Sequence, residues 1–290
     1  MEDEIQKSNT CVACLTRAWR RFGSKNSFDI FKCAKCGTLS VLPTPRVEPN
    51  LYEQNYFEGG KEGFGYVDYD KDKEAMRGVL TRILEELEGV SSGRNLLDVG
   101  AATGYFLDLA RAQGWQTSGV EISPFASERA RAKGLSVITG TPGDLPGGHK
   151  FDVITLWDVI EHMPEPNLDV DLLAEMLSPG GVLAIITPDA TSLYARLRGL
   201  SWHLLVPPEH INCFSRRGLR LFLERHGFEI LKEKVPAKWF ALDYAFHILA
   251  SSTGYKIFDH ISSFISGNFL GRLALPINFC DNVYVIARKR

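Results

Sequence analysis

The chain has 290 residues, 44% of them hydrophobic and 23% charged, and a formal net charge of -2. That is an ordinary globular composition, long enough for one α/β domain plus a small module, with no overall basic field to suggest a nucleic-acid partner. It contains no apolar run of the roughly 18 residues that spans a bilayer, and its acidic start, Met1-Glu2-Asp3-Glu4, lacks a secretory pattern.

The first element is a cysteine cluster. Cys11-Val12-Ala13-Cys14 is followed, 18 residues on, by Cys33-Ala34-Lys35-Cys36, while Cys213 and Cys280 stand alone. A disulfide scaffold would spread paired cysteines over a short secreted chain. Two Cys-x-x-Cys knuckles at this separation instead supply four thiolates for a tetrahedral zinc with no open position, a structural site in a reducing, cytoplasmic setting. Residues 1–48 are therefore expected to form a small zinc ribbon ending at Leu42-Pro43-Thr44-Pro45. A module of that size cannot fold on apolar burial, so metal binding supplies its folding free energy. Its basic residues, Arg17, Arg20, Arg21, Lys25, Lys32 and Lys35, interleave with Trp19 and Phe22. Three readings stay open for them: a nucleic-acid surface, a substrate-docking face, or a plain solvated face.

An aromatic, Gly-rich stretch from Tyr52 to Tyr69 could cover something. After it, Met76, Val79, Leu80, Ile83, Leu84 and Leu87 recur at helical spacing up to Gly89. Strands and helices then alternate: strand 96–99, helix 105–113, strand 115–121, and a helix opened by Ser123-Pro124 and stopped by Gly134. Strands at 135–138, 151–157 and 181–187 follow, with a helix over 167–177 before the last of them. A helix runs from Ser215 to Gly227, and strands at 228–235 and 282–287 close the chain. Such alternation demands a parallel sheet covered on both faces, and the final two strands permit an antiparallel pairing at one edge. Between them, residues 236–281 are rich in large apolar groups (among them Trp239, Phe240, Tyr244, Phe246, Ile248, Leu249, Phe258, Ile261, Phe264, Ile265, Phe269 and Leu270) and predict a helical insertion. It could cap an acceptor, touch a membrane surface peripherally, pack into the core, or form an oligomer seam.

The strongest chemical signal is Leu96-Leu97-Asp98-Val99-Gly100-Ala101-Ala102-Thr103-Gly104, a buried strand running into a Gly turn and a helix. Glycines there let backbone approach a ligand, and the helix N-terminus turns amide donors toward it, at the strand end where open α/β sheets bind ligands. Glu121 ends the next strand 23 residues after Asp98, where a carboxylate can accept both ribose hydroxyls. Asp98 itself would repel a pyrophosphate and welcome a cofactor with a cationic amino-acid end. The pattern is also not G-x-G-x-x-G, so a nicotinamide enzyme fits poorly.

These residues, together with Val120-Glu121-Ile122-Ser123 and Phe151-Asp152-Val153-Ile154-Thr155-Leu156-Trp157-Asp158-Val159-Ile160-Glu161-His162, resemble the motifs of class I S-adenosylmethionine-dependent methyltransferases. The similarity covers about residues 50–290 and is nearest the O-methyltransferases of quinone biosynthesis and relatives in sugar and polysaccharide pathways. It implies a Rossmann-like, seven-stranded, mostly parallel sheet with an antiparallel C-terminal edge over residues 49–290. It also implies that Asp98, Gly100 and Gly104 shape the methionine pocket, with Tyr105 beside them. Glu121 would take the ribose, Ile122 the adenine face, and Asp144-Leu145 the adenine border. Trp157 and Asp158 would line the cleft, and Arg77 would reach the cofactor carboxylate. Many relatives carry Gly where this chain has Ala102, so a methyl group is expected to intrude near the cofactor.

The sulfonium carries its own activation, but a hydroxyl acceptor must lose a proton, and histidine is the usual base near neutral pH. His162, in Glu161-His162-Met163-Pro164, and His210, in Pro207-Pro208-Glu209-His210-Ile211-Asn212, both follow strands of the sheet, and His210 is the preferred base. The expected activity is methyl transfer to a small-molecule hydroxyl of a sugar, quinone or related intermediate. Two alternatives stand beside it: an RNA methyltransferase holding RNA on its zinc ribbon, disfavoured by the near-neutral charge, and a non-catalytic cofactor-binding module.

Overall fold

The computed structural model describes residues 9–45, 57, 69–236, 239–242, 246, 255–265, 273–275 and 278–290. Of the aromatic stretch at 52–69 only Phe57 and Tyr69 fall among them, and Tyr244, Ile248, Leu249, Phe269 and Leu270 lie outside.

The N-terminal ribbon comprises β1 (Trp19–Lys25), β2 (Phe28–Cys33) and β3 (Leu39–Val41). Asn26 and Ser27, both with positive φ, form the two-residue turn joining β1 to β2. Among the described residues, α1 (Tyr69–Glu74) and α2 (Arg77–Glu88) then precede the main sheet. The periodic residues Leu80, Ile83, Leu84 and Leu87 are the buried face of α2, as their spacing demands.

The alternating unit follows as β4 (Asn95–Val99), α3 (Tyr105–Ala112), β5 (Gln116–Glu121), α4 (Pro124–Ala132), β6 (Val137–Thr139) and β7 (Phe151–Trp157). The Ser123 hydroxyl caps α4 by accepting from Ala126 N at 3.2 Å, with Pro124 at the first helical position. Next come α5 (Pro166–Met176), β8 (Leu177–Pro188), α6 (Leu193–Arg198), β9 (Asn212–Cys213), α7 (Arg216–Arg225) and β10 (Phe228–Lys234). The apolar segment contributes β11 (Phe240–Ala241), α8 (Lys256–Ile265) and β12 (Ala274–Leu275), and β13 (Asn282–Lys289) ends the chain. Its two short strands pair antiparallel, so the ends of the insertion meet.

The main sheet has seven strands in the order β10-β13-β8-β7-β4-β5-β6. Pairings from β8 through β7, β4 and β5 to β6 are parallel. β13 runs antiparallel to both β8 and β10, so the reversed strand is slotted inside and β10 is outermost. Its six consecutive buried residues, Asn282–Ala287, explain that interior place: both faces are covered. One face carries α2 and α3, packed through Leu84, Leu87, Phe106 and Leu107 on Leu96, Val153, Ala184 and Ile286. The other carries α5 and α7, with Leu173, Leu219 and Phe222 on Leu97, Ile154, Ile185 and Val285.

Sequence periodicity does not reveal β9. Its two residues pair antiparallel with β3, so the ribbon sheet continues as β1-β2-β3-β9 into the loop before α7. Cys11, Trp19, Phe31 and Cys33 belong to the same buried cluster as α5 and α7.

Candidate active site

The carboxyl ends of β4 and β5 meet at the Gly turn. Gly100 (φ 74°) and Gly104 (φ 79°) take conformations that L side chains rarely adopt. A Cβ on Gly100 would lie 2.6 Å from Val159 Cγ2, and one on Gly104 would lie 2.4 Å from Leu135 Cδ1. In this structure the missing side chains thus make room for packing of the turn, as well as for its bend. Ala102 also has positive φ, 47°. Its methyl packs with Phe57 and Ala126.

Asp98 is 2% exposed. It accepts one hydrogen bond from the Thr155 hydroxyl at 2.6 Å. Burial raises its pKa to about 7, against the lowering effects of that hydrogen bond and of Lys73, with the Glu121 charge raising it further. Glu121 is buried too. Its Oε2 accepts from Ala102 N and its Oε1 from Ser123 N, both at 2.8 Å, so one carboxylate ties the Gly turn to the end of β5. Desolvation raises its pKa, and backbone donors at Ser123, Ala102 and Ile122 oppose the rise. Two buried carboxyl groups at neighbouring strand ends attract a cation and hydroxyl donors.

The other expected residues make the following contacts. Ile122, 50% exposed, presents an apolar face beside Glu121. Asp144 accepts from Thr141 N at 2.7 Å, closing a 3-10 turn, Pro142–Asp144, that follows β6, with Leu145 half-buried next to it. Tyr105 donates its hydroxyl to Glu74 at 2.8 Å. Arg77 pairs with that same Glu74 at 2.6 Å and is exposed. Lys73, which sequence reasoning missed, is the cation whose charge acts on Asp98. Thr103 Oγ1 and Lys133 Nζ both bond Asp70, at 2.5 and 2.6 Å, pinning α1 to the turn.

At the end of β7, Asp158 has positive φ (56°) and an exposed side chain, which bends the chain out of the sheet. Trp157 packs edge-on to Phe106, with ring centroids 5.2 Å apart, and lies 6.1 Å from the Tyr284 ring. The Trp157 indole nitrogen and the Tyr284 hydroxyl are both buried without a hydrogen-bond partner. Tyr284 carried no signal beyond its strand.

His162 and His210 come together, with rings 4.6 Å apart at an interplanar angle of 81°. His162 Nδ1 donates to Glu209 O at 2.8 Å and His210 Nδ1 donates to Leu204 O at 2.6 Å, because a carbonyl can only accept. The neutral His210 ring therefore keeps its lone pair on Nε2. Burial lowers the pKa of His162, favouring its neutral form. Glu161 is buried below the pair, accepts from the Thr187 hydroxyl at 2.9 Å, and takes Ile211 N on its carbonyl at 2.8 Å. Glu161, His162 and His210 each offer one ligand atom within 4.8 Å of the others. The cluster can act as a hydrogen-bonded base or hold a cation.

A second cluster lies in the ribbon. The sulfurs of Cys11 and Cys36, and those of Cys14 and Cys33, are 3.6 Å apart, and all four lie within 4.8 Å. A tetrahedral Zn–S distance of about 2.3 Å requires S···S separations of about 3.8 Å, so the donor set fits zinc. Without a metal the hydrogen-bonded thiols of Cys11 and Cys36 compete for a proton. Cys36 falls to about 5, chiefly through its hydrogen bond with Cys11, while the Cys11 thiol is pushed far up.

Residues 69–233 match the family described as a methyltransferase domain, and the chain belongs to that family. Among curated proteins it is similar to the ubiquinone biosynthesis O-methyltransferase of Xylella fastidiosa strain 9a5c, 30% identical over 110 residues, 34% of this chain and 44% of that protein. It is also similar to that of Nitrobacter winogradskyi, 33% identical over 151 residues, 44% of this chain and 57% of the relative. The chain thus spans about half the length of the curated relatives it matches. Among solved structures, the fold is similar to the magnesium protoporphyrin IX methyltransferase of Synechocystis PCC 6803 with bound SAH. The TM-score is 0.50 at 17% identity, covering 79% of this chain and 90% of that one. The plantazolicin methyltransferase BpumL, in complex with SAH, gives 0.51 at 12% identity, covering 76% and 86%. At these identities the two structures show the fold. Among the described residues, no helix is long and apolar enough to cross a membrane.

Proposed function

We propose that this protein transfers a methyl group from S-adenosylmethionine to a hydroxyl of a small molecule such as a sugar, quinone or related biosynthetic intermediate. The observation that carries the reading is the paired acids: Asp98 and Glu121 are buried side by side at the ends of β4 and β5, with Glu121 braced by Ala102 N and Ser123 N. Asp98 would hold the cofactor's ammonium and Glu121 its ribose hydroxyls, with Ile122 against the adenine, Asp144-Leu145 at its border and Asp158 facing the cleft. When bound, the cofactor supplies an activated methyl on a sulfonium, and in-line transfer then depends on positioning.

His210 would remove the acceptor proton through Nε2, its other nitrogen being fixed by Leu204 O. His162, packed edge-on against it, orients the ring and shields it from water. The cysteines Cys11, Cys14, Cys33 and Cys36 would hold a structural zinc, residues 1–48 forming the ribbon and 49–290 the methyltransferase domain. The apolar insertion at 236–281 would cap the acceptor or meet a membrane surface. The ubiquinone O-methyltransferases among the relatives support a small hydroxylated acceptor. Incubation with radiolabelled S-adenosylmethionine and a panel of phenolic, quinol and sugar acceptors tests this. Label in an organic product supports the reading, whereas label only in added RNA would replace it with nucleic-acid methylation.

A further inference from the structure

The loop that carries His210 is held by the cysteine ribbon. Val41 N donates to Ile211 O at 2.9 Å, one residue beyond His210, and the β3–β9 ladder pairs Ser40 with Asn212 and Leu39 with Cys213. Ser40 Oγ donates to Asn212 Oδ1 at 2.8 Å, both residues being buried. Ser215 Oγ donates to Cys36 O, within the second metal knuckle, at 2.6 Å. On the N-terminal side of the loop, Asn26 Nδ2 donates to Pro207 O at 2.9 Å and Lys25 Nζ to Trp202 O at 3.0 Å. Both come from the β1–β2 hairpin, so the ribbon brackets residues 202–215 from both ends.

The route from metal to histidine is short. Cys33 and Cys36 set the knuckle, Thr38 leads from it into β3, and β3 hydrogen-bonds the residues that directly follow His210. Among the described residues, the ribbon's hydrogen bonds to the rest of the chain end on residues 202–215 and on Arg225. None of them ends on the turn 98–104 or on Glu121. A two-residue strand has little stability of its own, so its partner strand decides its position. The partner is in turn too small to hold its shape without metal.

We propose that the ribbon is the positioning element for the acceptor-side histidine: the metal on Cys11, Cys14, Cys33 and Cys36 holds His210 against Glu161 and His162 through Ser40, Val41 and Asn212. Loss of the metal would release the acceptor side and leave the cofactor side in place. This rests on the readings of the cysteines as zinc ligands and of His210 as the base. Ser40 and Asn212 are positioning residues in it.

The test uses the full chain with its zinc. The metal is removed with a mercurial thiol reagent, which is then reversed by excess thiol with a chelator present. Three readouts follow: hydrogen exchange across residues 204–213, the NMR pH titration of the His210 imidazole, and calorimetric affinity for S-adenosylhomocysteine. Metal loss should accelerate exchange in that loop at least tenfold and make His210 titrate as a solvent-exposed histidine, with cofactor affinity within twofold of the holoprotein. Added zinc should reverse both changes. Ser40→Ala, with zinc retained, should shift the His210 titration in the same direction, and Ser40→Thr should restore it. Unchanged exchange and an unchanged His210 titration in metal-free protein would overturn the proposal, as would loss of cofactor affinity in step with the metal. A protein that purifies without zinc and takes none up would instead overturn the cysteine reading beneath it.

Discussion

Asp98 makes cofactor binding depend on pH in a way that can be worked out from its surroundings. With its pKa raised to about 7 by burial, the free protein carries this group mostly protonated at pH 6 and mostly ionised at pH 8. If the carboxylate receives the cofactor's ammonium, only the ionised form binds well. Below pH 7 each further unit lowers the ionised fraction about tenfold, equivalent to about 1.4 kcal/mol. S-Adenosylhomocysteine association should therefore weaken about tenfold between pH 6 and pH 5 and level off above pH 7. Calorimetric titration of the wild type and of Asp98→Asn at half-unit steps reads this directly. The Asn variant should bind more weakly at pH 8 and lose the slope. A flat wild-type profile from pH 5 to pH 7, or the same slope in the variant, would refute the reasoning.

The same shift has a stability consequence with a defined sign. The folded pKa lies above the unfolded value of about 3.9, so the favourable contribution is complete below pH 4 and is lost as pH rises toward 7. Ligand-free Asp98→Asn should consequently melt higher than wild type at pH 8, and S-adenosylhomocysteine should narrow that gap.

Three further outcomes are expected. Glu121→Ala strips the acceptor from Ala102 N and Ser123 N and, in the proposed binding mode, from the ribose, so S-adenosylhomocysteine affinity should fall about a hundredfold or more by calorimetry, with a lower Tm. His210→Ala should cut single-turnover methyl transfer about a hundredfold or more with cofactor affinity nearly unchanged, and an unaltered rate would remove it from the mechanism. Gly104→Ala combines positive φ with a Cβ only 2.4 Å from Leu135, so it should cost about 1–3 kcal/mol in chemical denaturation.

What the sequence announced were the features written in local pattern. Helix α2 and strands β4, β5 and β7 follow from periodicity, the Gly turn from Gly100 and Gly104, the α4 and α7 caps from Ser123 and Ser215, and the sulfur cluster from Cys-x-x-Cys spacing. What stayed hidden depends on partners distant in sequence. Asn212 and Cys213 look like loop residues until β3, 172 positions earlier, pairs with them. Similarly, no local pattern tells that Ala102 packs with Phe57 and Ala126. Lys73 sits on a helix with no apolar period to announce it.

In the proposed reading, this member of the methyltransferase family binds S-adenosylmethionine between Asp98 and Glu121. Calorimetry of folded, zinc-loaded protein with S-adenosylhomocysteine at pH 8 tests it most directly. One site per chain with micromolar affinity is expected, weakened about a hundredfold or more in Glu121→Ala. Absence of binding by the well-folded wild type would contradict it and leave the paired acids without a ligand.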